Sequence, residues 1–136
     1  MSTATLGYLL AIAIQLTGYL PPDKLPTVVG HDTGFFLATV CGGRPCSARA
    51  YTIGRTIHID DTLSPADIRT QGLVLHELVH VLQGYNSDRH HDCAEYIHNE
   101  REAYLVQAVF LAEHGLNMKV GNILHQYHCY KEVSNE

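Results

Sequence analysis

Basic residues are scarce in this chain: nine Lys and Arg stand against fourteen Asp and Glu in 136 residues, giving a net charge of −5. They are scattered singly, so no basic stripe exists to neutralise a phosphate backbone, and a nucleic-acid binder is excluded. Long hydrophobic runs are missing too. The most apolar stretch, Leu6 to Leu16, is too short to span a bilayer as a helix. No Lys or Arg precedes it and no small-residue cleavage site follows before Tyr19 and Pro21, so it does not read as a signal peptide. It reads instead as a packed first helix, to which a leader could once have been attached upstream. There is no internal repeat, low-complexity tract or linker, which leaves one domain over residues 1–136. With 46% hydrophobic and 17% charged residues, the balance is that of an ordinary globular chain.

Ten histidines are the compositional outlier. Imidazole is the commonest neutral metal ligand and general base, so the excess favours a metal site or a pH response without locating either. Four cysteines, at 41, 46, 93 and 129, admit three pairings. Cys41-Gly-Gly-Arg-Pro-Cys46 looks like a closed turn, because Gly42, Gly43 and Pro45 bend the chain between the thiols. That pairing leaves Cys93 for Cys129. A zinc site made by all four is disfavoured, since the intervals show no Cys-x-x-Cys knuckles. Two bridges would place the protein outside the reducing cytoplasm, secreted or periplasmic, with a cytoplasmic setting kept open.

The periodicities predict an α+β domain. Leu6, Leu9, Leu10, Ala13, Leu16 and Tyr19 recur at helical spacing, and the first helix should stop near Gly18 or Leu20 before Pro21-Pro22. Thr27–Val29, Gly34–Val40, Ala48–Ile53 and Arg55–Asp60 read as strands of a small twisted sheet, with Gly54 as a bend or bulge. Ser64 as N-cap, Pro65 in the first turn and Asp67 as capping-box partner should open a helix that ends at Gln83, with Gly84 beyond it. A second long helix is expected from Cys93 or Ala94 to His114, and a shorter one from Val120 to Tyr130.

The motif that carries chemistry is His76-Glu77-Leu78-Val79-His80 on the capped helix. Histidines four apart share one helix face, so both rings can reach one ion, and Zn²⁺ suits nitrogen and oxygen donors in a tetrahedron. Glu77 follows the first ligand directly and is displaced around the helix, where it can approach a water as general base. Leu73, Val74, Leu78, Val79, Val81 and Leu82 flank the motif, and a helix that apolar is expected to be largely buried. Buried imidazoles and a carboxylate need partners, which a metal would supply. Gln83 is expected either to face the same cleft or to bond neighbouring backbone.

With these residues the sequence resembles the gluzincins, HExxH metallopeptidases whose third ligand is a glutamate on a following helix. That glutamate often stands in Asn-Glu-x-x-Ala, and here Asn99-Glu100-Arg101-Glu102-Ala103 lies on the second long helix. Small Ala103 suits close approach of the two helices at the metal. The resemblance covers about Ser64 to Gly115. It implies a zincin-like domain: a small twisted sheet packed with an N-terminal helix, the HExxH helix and the glutamate helix. It also implies one Zn²⁺ per chain on His76, His80 and Glu100, and hydrolysis of a peptide or protein substrate with Glu77 as base. The metzincin pattern fails, because Gln83 and Asn86 occupy the places of its Gly and His. Many gluzincins orient a zinc-bound histidine with an Asp four residues after the glutamate; here that place is Tyr104. Tyr104, His90, His91 and Tyr51 are the candidates to stabilise the tetrahedral intermediate. The large C-terminal lobe of bigger relatives is missing.

Glu95 and Glu102 read as solvated, and His31, His58, His98, His114, His125 and His128 as structural or surface residues. A second metal at His125 and His128 is conceivable. Two other functions remain open: a zinc-stabilised binding or regulatory module without catalysis, and a toxin-like or immunity-like interaction protein. Oligomeric state is not readable from the sequence.

Overall fold

The computed structural model describes residues 1–44, 48–87, 92–126 and 129. Its architecture is α+β, with four α-helices and a three-stranded mixed sheet. Helix α1 spans Thr3–Thr17, β1 Thr27–His31, the single turn α2 Thr33–Phe35, β2 Ala50–Ile53 and β3 Thr56–Asp60. The two long helices follow, α3 over Ile68–Asn86 and α4 over Cys93–Glu113, and a 3-10 turn occupies Asn122–Gln126.

The sheet order is β1-β3-β2, with β1 parallel and β2 antiparallel to β3. A two-residue connection joins β2 to β3, and Gly54 takes φ 60 in its first position, as a hairpin turn of this length favours. Strand alternation gives the sheet two faces. Ile57 and Ile59, with Val28 beside them, look inward onto the helices, while His58 and Tyr51 pair across the outer face. There His58 stacks on Tyr51 at 4.6 Å between centroids, and His31 stacks on Phe35 at 3.8 Å. His31 and His58 also share a ring-nitrogen hydrogen bond of 2.8 Å.

Helix α3 is the centre of the molecule. It packs against α1, α4 and the inner face of the sheet at once. Val74, Leu75, Leu78, Val79, Val81 and Leu82 are buried on it, as the apolar flanks of the motif led one to expect, and Leu73 is half-buried. Leu6, Leu9 and Ala13 of α1 and Ala103, Val106, Phe110 and Leu111 of α4 complete the core. Gly72 decides how closely α3 and α4 approach: a Cβ there would lie 3.0 Å from Leu111 Cδ2.

Four expectations need correction. Gly34–Val40 is helical, forming the end of α2 and a π-helical turn over Phe36–Val40. The Asp32 carboxylate caps it by accepting from Phe35 N at 2.8 Å, and Phe36 is buried; capping and burial outweigh the β-propensity of the run. The N-cap of α3 is Asp67, whose Oδ1 accepts from Arg69 N at 2.8 Å, and Ser64 instead accepts from Asp67 N in a preceding turn. Helix α3 continues through Gly84 to Asn86. The Asn86 amide donates to Leu82 O and Leu20 O and accepts from Leu20 N, so a side chain rather than a glycine terminates the helix and clasps the exit of α1. The last helical segment is the five-residue 3-10 turn, and Tyr127, His128 and Tyr130 lie outside the described residues.

The Cys93–Cys129 disulfide is present, joining residues 36 apart in sequence. Cys46, the expected partner of Cys41, lies outside the described residues. One bridge of this kind is consistent with an oxidising compartment. Among the described residues no helix is long and apolar enough to cross a membrane. Two stability changes follow. Replacing Phe110, which is fully buried, by Ala should lower unfolding stability by about 3–5 kcal/mol in a denaturant titration. Replacing both Cys93 and Cys129 by Ser should cost about 3–4 kcal/mol, the loop-closure value for a 36-residue separation.

Candidate metal centre

The 19-residue α3 projects His76 and His80 from one face, one turn apart, and α4 brings Glu100 opposite them. The His76 and His80 Nε2 atoms lie 3.2 Å apart. Glu100 Oε1 is 3.1 Å from His76 Nε2, and Oε2 is 2.8 Å from His80 Nε2. A tetrahedral ion with arms of 2.0–2.1 Å needs donor atoms separated by about 3.3 Å, so the triangle is nearly that of a metal site before any ion enters. Among the described residues this is the one group of three or more His, Cys, Asp or Glu placed to hold a metal. The three could hold a metal ion, and their nitrogen and oxygen donors fit a divalent cation.

The far side of each imidazole is fixed by a glutamine. Gln83 Oε1 faces His80 Nδ1 at 2.8 Å, and Gln107 Oε1 faces His76 Nδ1 at 3.0 Å. The Gln83 amide is oriented independently, because its nitrogen donates to Asn99 O at 2.9 Å and Glu102 Oε1 at 3.0 Å. An Oε1 acceptor requires a proton on Nδ1, which turns Nε2 toward the common point. Glu102 also accepts from the Tyr19 hydroxyl at 2.6 Å. It is therefore a buttress rather than the solvated residue expected, since α1, α3 and α4 converge on its carboxylate.

Without a cation the triad is an ion pair. Burial disfavours charge on Glu100, but hydrogen bonds from His76 and His80 and their charge outweigh it and hold the carboxyl at about 2. Burial likewise pulls His80 down, yet the Glu100 bond and charge, with Glu77 and Gln83, raise its pKa above the ordinary imidazole value. The hydrogen bonding explains this: with Nδ1–H given to Gln83 and Nε2–H to Glu100, His80 carries both protons.

Glu77 is buried beside the triad, 6% exposed, and does not join it. Its Oε1 accepts from Thr52 Oγ1 at 2.7 Å, across from the inner face of β2. Oε2 makes no hydrogen bond among the described residues and is not sealed from the solvent of the cleft. The Tyr104 ring packs edge-on against His76, 4.4 Å between centroids, and it is packed in turn by the backbone at Gly121. The side chain that faces His76 Nδ1 is Gln107, not Tyr104, which stands where many gluzincins have their orienting Asp. A cleft of about 860 Å³ opens over these residues, lined also by Tyr51, Thr52, Tyr96 and Asn99.

A family model described as the eCIS core domain matches residues 43–87. The match spans β2, β3 and all of α3 with both its caps, including His76, Glu77 and His80; it leaves out α1, β1 and the Glu100 helix. No curated protein and no solved structure matches the chain.

His76, His80, Glu100, Glu77 and Tyr104 all line one cleft. Tyr51 reaches its rim from β2. His90 and His91 lie outside the described residues. The orienting role of Gln107 was missed. It sits seven residues after Glu100, two helical turns along the same face, and that spacing was the available signal.

Replacing Gln107 by Leu should therefore weaken binding of Zn²⁺ or Co²⁺ by about 10–100-fold in a competition titration. Metal uptake must displace the His80 proton, so affinity should fall as pH drops through the raised His80 pKa, with proton release visible by calorimetry in buffers of different ionisation enthalpy. The metal-free chain has its own window. The Glu100 contribution is complete above 4.5 and fades as pH falls toward about 2. That of His80 is complete below 6.5 and fades as pH rises through its raised value, so thermal melts should show the pair at full strength between 4.5 and 6.5.

Proposed function

We propose that the chain is a zinc-dependent peptidase of the gluzincin kind, acting on a peptide or protein substrate in an oxidising compartment. The observation that carries the reading is the separation of roles at the cleft floor. Three donors converge on one point, while a fourth side chain, Glu77, is held off it by Thr52. A merely structural metal site has no use for a carboxylate kept at hydrogen-bonding distance from the neighbouring strand. His76, His80 and Glu100 would hold the cation, which supplies Lewis acidity when bound, polarising a carbonyl and acidifying a water.

The chain's own residues do the rest. The Thr52 hydroxyl occupies Glu77 Oε1, which leaves Oε2 to take a proton from the attacking water and to return it to the leaving amine. Gln83 and Gln107 hold the two rings in register while charge develops. Among the described residues strand β2 is the sheet's edge, paired to β3 alone, and it lines the cleft. Its unpaired backbone groups suit an extended peptide laid alongside as an added strand.

The second reading is a metal-stabilised binding or regulatory module without turnover. It is favoured by one observation: both Nδ1 partners are neutral carboxamides rather than carboxylates, which push less electron density onto a ligand.

Elemental mass spectrometry should find one zinc per chain, lost or weakened in His80→Ala and Glu100→Ala. The loaded wild type should cleave members of a peptide library, and Glu77→Gln should retain zinc while losing about 10²–10⁴-fold in rate. Zinc without cleavage would transfer the chain to the second reading; no zinc after reconstitution would overturn both.

A further inference from the structure

Arg49 stands just before β2 and lines the same cleft as Glu77 and Glu100. Among the described residues it is the one Lys or Arg that does so. Its guanidinium is anchored from behind. Nε donates to Asp60 Oδ2 at 2.8 Å and Nη2 donates to Thr62 Oγ1 at 3.1 Å. The backbones lock as well, with Asp60 N donating to Arg49 O at 2.9 Å.

Asp60 does not need the arginine for its own satisfaction. Its side chain is fully buried and already accepts from Thr62 N at 2.9 Å, Thr62 Oγ1 at 2.7 Å and Thr33 Oγ1 at 3.1 Å. The arginine, by contrast, is left half-used: its side chain is 43% exposed, and among the described residues only two of its five N–H groups are engaged. The Nε edge is occupied. Nη1 and the second proton of Nη2 form the opposite fork, the geometry that grips a carboxylate through two parallel hydrogen bonds. Because the Asp60 anchor is buried and is itself held by three other hydrogen bonds, less side-chain entropy remains to be lost when that fork binds.

We infer that Arg49 is a specificity-determining residue that selects substrates carrying a carboxylate, either an Asp or Glu side chain or a free C-terminus. The inference rests on the peptidase reading of the cleft and deepens it by naming the substrate class. The position follows from the strand. Arg49 precedes Thr52, the residue that holds Glu77, by three places, or about 10 Å at the strand rise. The selected carboxylate therefore lies roughly two to four residues from the bond cleaved.

The test uses the zinc-loaded full chain and paired peptides differing only by Glu against Gln at each position around the cleaved bond, with each peptide made as C-terminal acid and as amide. Wild type should prefer Glu over Gln at one position, or acid over amide, by about tenfold or more in kcat/KM. The arm that shows the preference identifies the source of the carboxylate. Arg49→Gln should reduce that ratio to about one, and Arg49→Lys, which keeps charge without the fork, should retain only part of it. A cleaving wild type with no preference in either arm overturns the inference and leaves the peptidase reading standing. The same peptides titrated calorimetrically into zinc-loaded Glu77→Gln protein decide the matter if nothing is cleaved. Tighter binding of the carboxylate-bearing member, lost in the Glu77→Gln, Arg49→Gln double variant with an unchanged melting curve, supports the inference even where the peptidase reading fails. Equal binding overturns it.

Discussion

The burial of α3 on three sides is the constraint from which the cleft follows. A helix that must satisfy α1, α4 and a sheet at once has one strip left for polar side chains, and His76, Glu77, His80 and Gln83 lie along or beside it. Each is then committed to a partner on another element, because an unpaired polar group at that depth is costly. Glu77 finds Thr52 on β2, His76 finds Gln107 on α4, and Gln83 spans from His80 to Asn99 and Glu102. No buried side-chain nitrogen or oxygen among the described residues is left without a partner. The donor triangle is thus positioned by partners that the surrounding elements supply.

The electrostatics of the triangle have the same origin. Glu100 is placed against two imidazoles in a poorly solvated pocket, where its negative charge and the His80 proton stabilise one another. A cation entering the triangle takes over the role of that proton. The site is therefore one in which protons and metal compete directly, and the affinity for one cannot be discussed without the other.

Much of this was legible in the sequence, and for identifiable reasons. Periods of 3.6 were strong over α1, α3 and α4, the Cys93–Cys129 bridge was reached by elimination from the expected Cys41–Cys46 turn, and β2 and β3 stood out as alternating runs on either side of Gly54. The His-x-x-x-His face and the glutamate on the next helix needed only helix geometry. What was not legible depended on contacts between distant segments. Gly34–Val40 has the composition of a strand, and only the Asp32 cap and the burial of Phe36 on the outer sheet face make it helical. Gly84 looked like a helix stop, and only the clasp between Asn86 and Leu20 shows why it is passed over. Gln107 and Glu102 are unremarkable letters on a polar helix until Tyr19, Gln83 and His76 are placed around them.

Helix α1 has a consequence for the life of the chain before it is folded. It has no Asp, Glu, Lys, Arg or His between Thr3 and Thr17, and its buried residues Leu6, Leu9 and Ala13 dock on α3, which begins at Ile68. At synthesis rates of about 5–20 residues per second, α1 leaves the ribosome roughly 3–10 s before α3 starts to emerge. During that interval it is an uncharged, sticky segment without its docking surface, the kind of stretch that holdase chaperones cover.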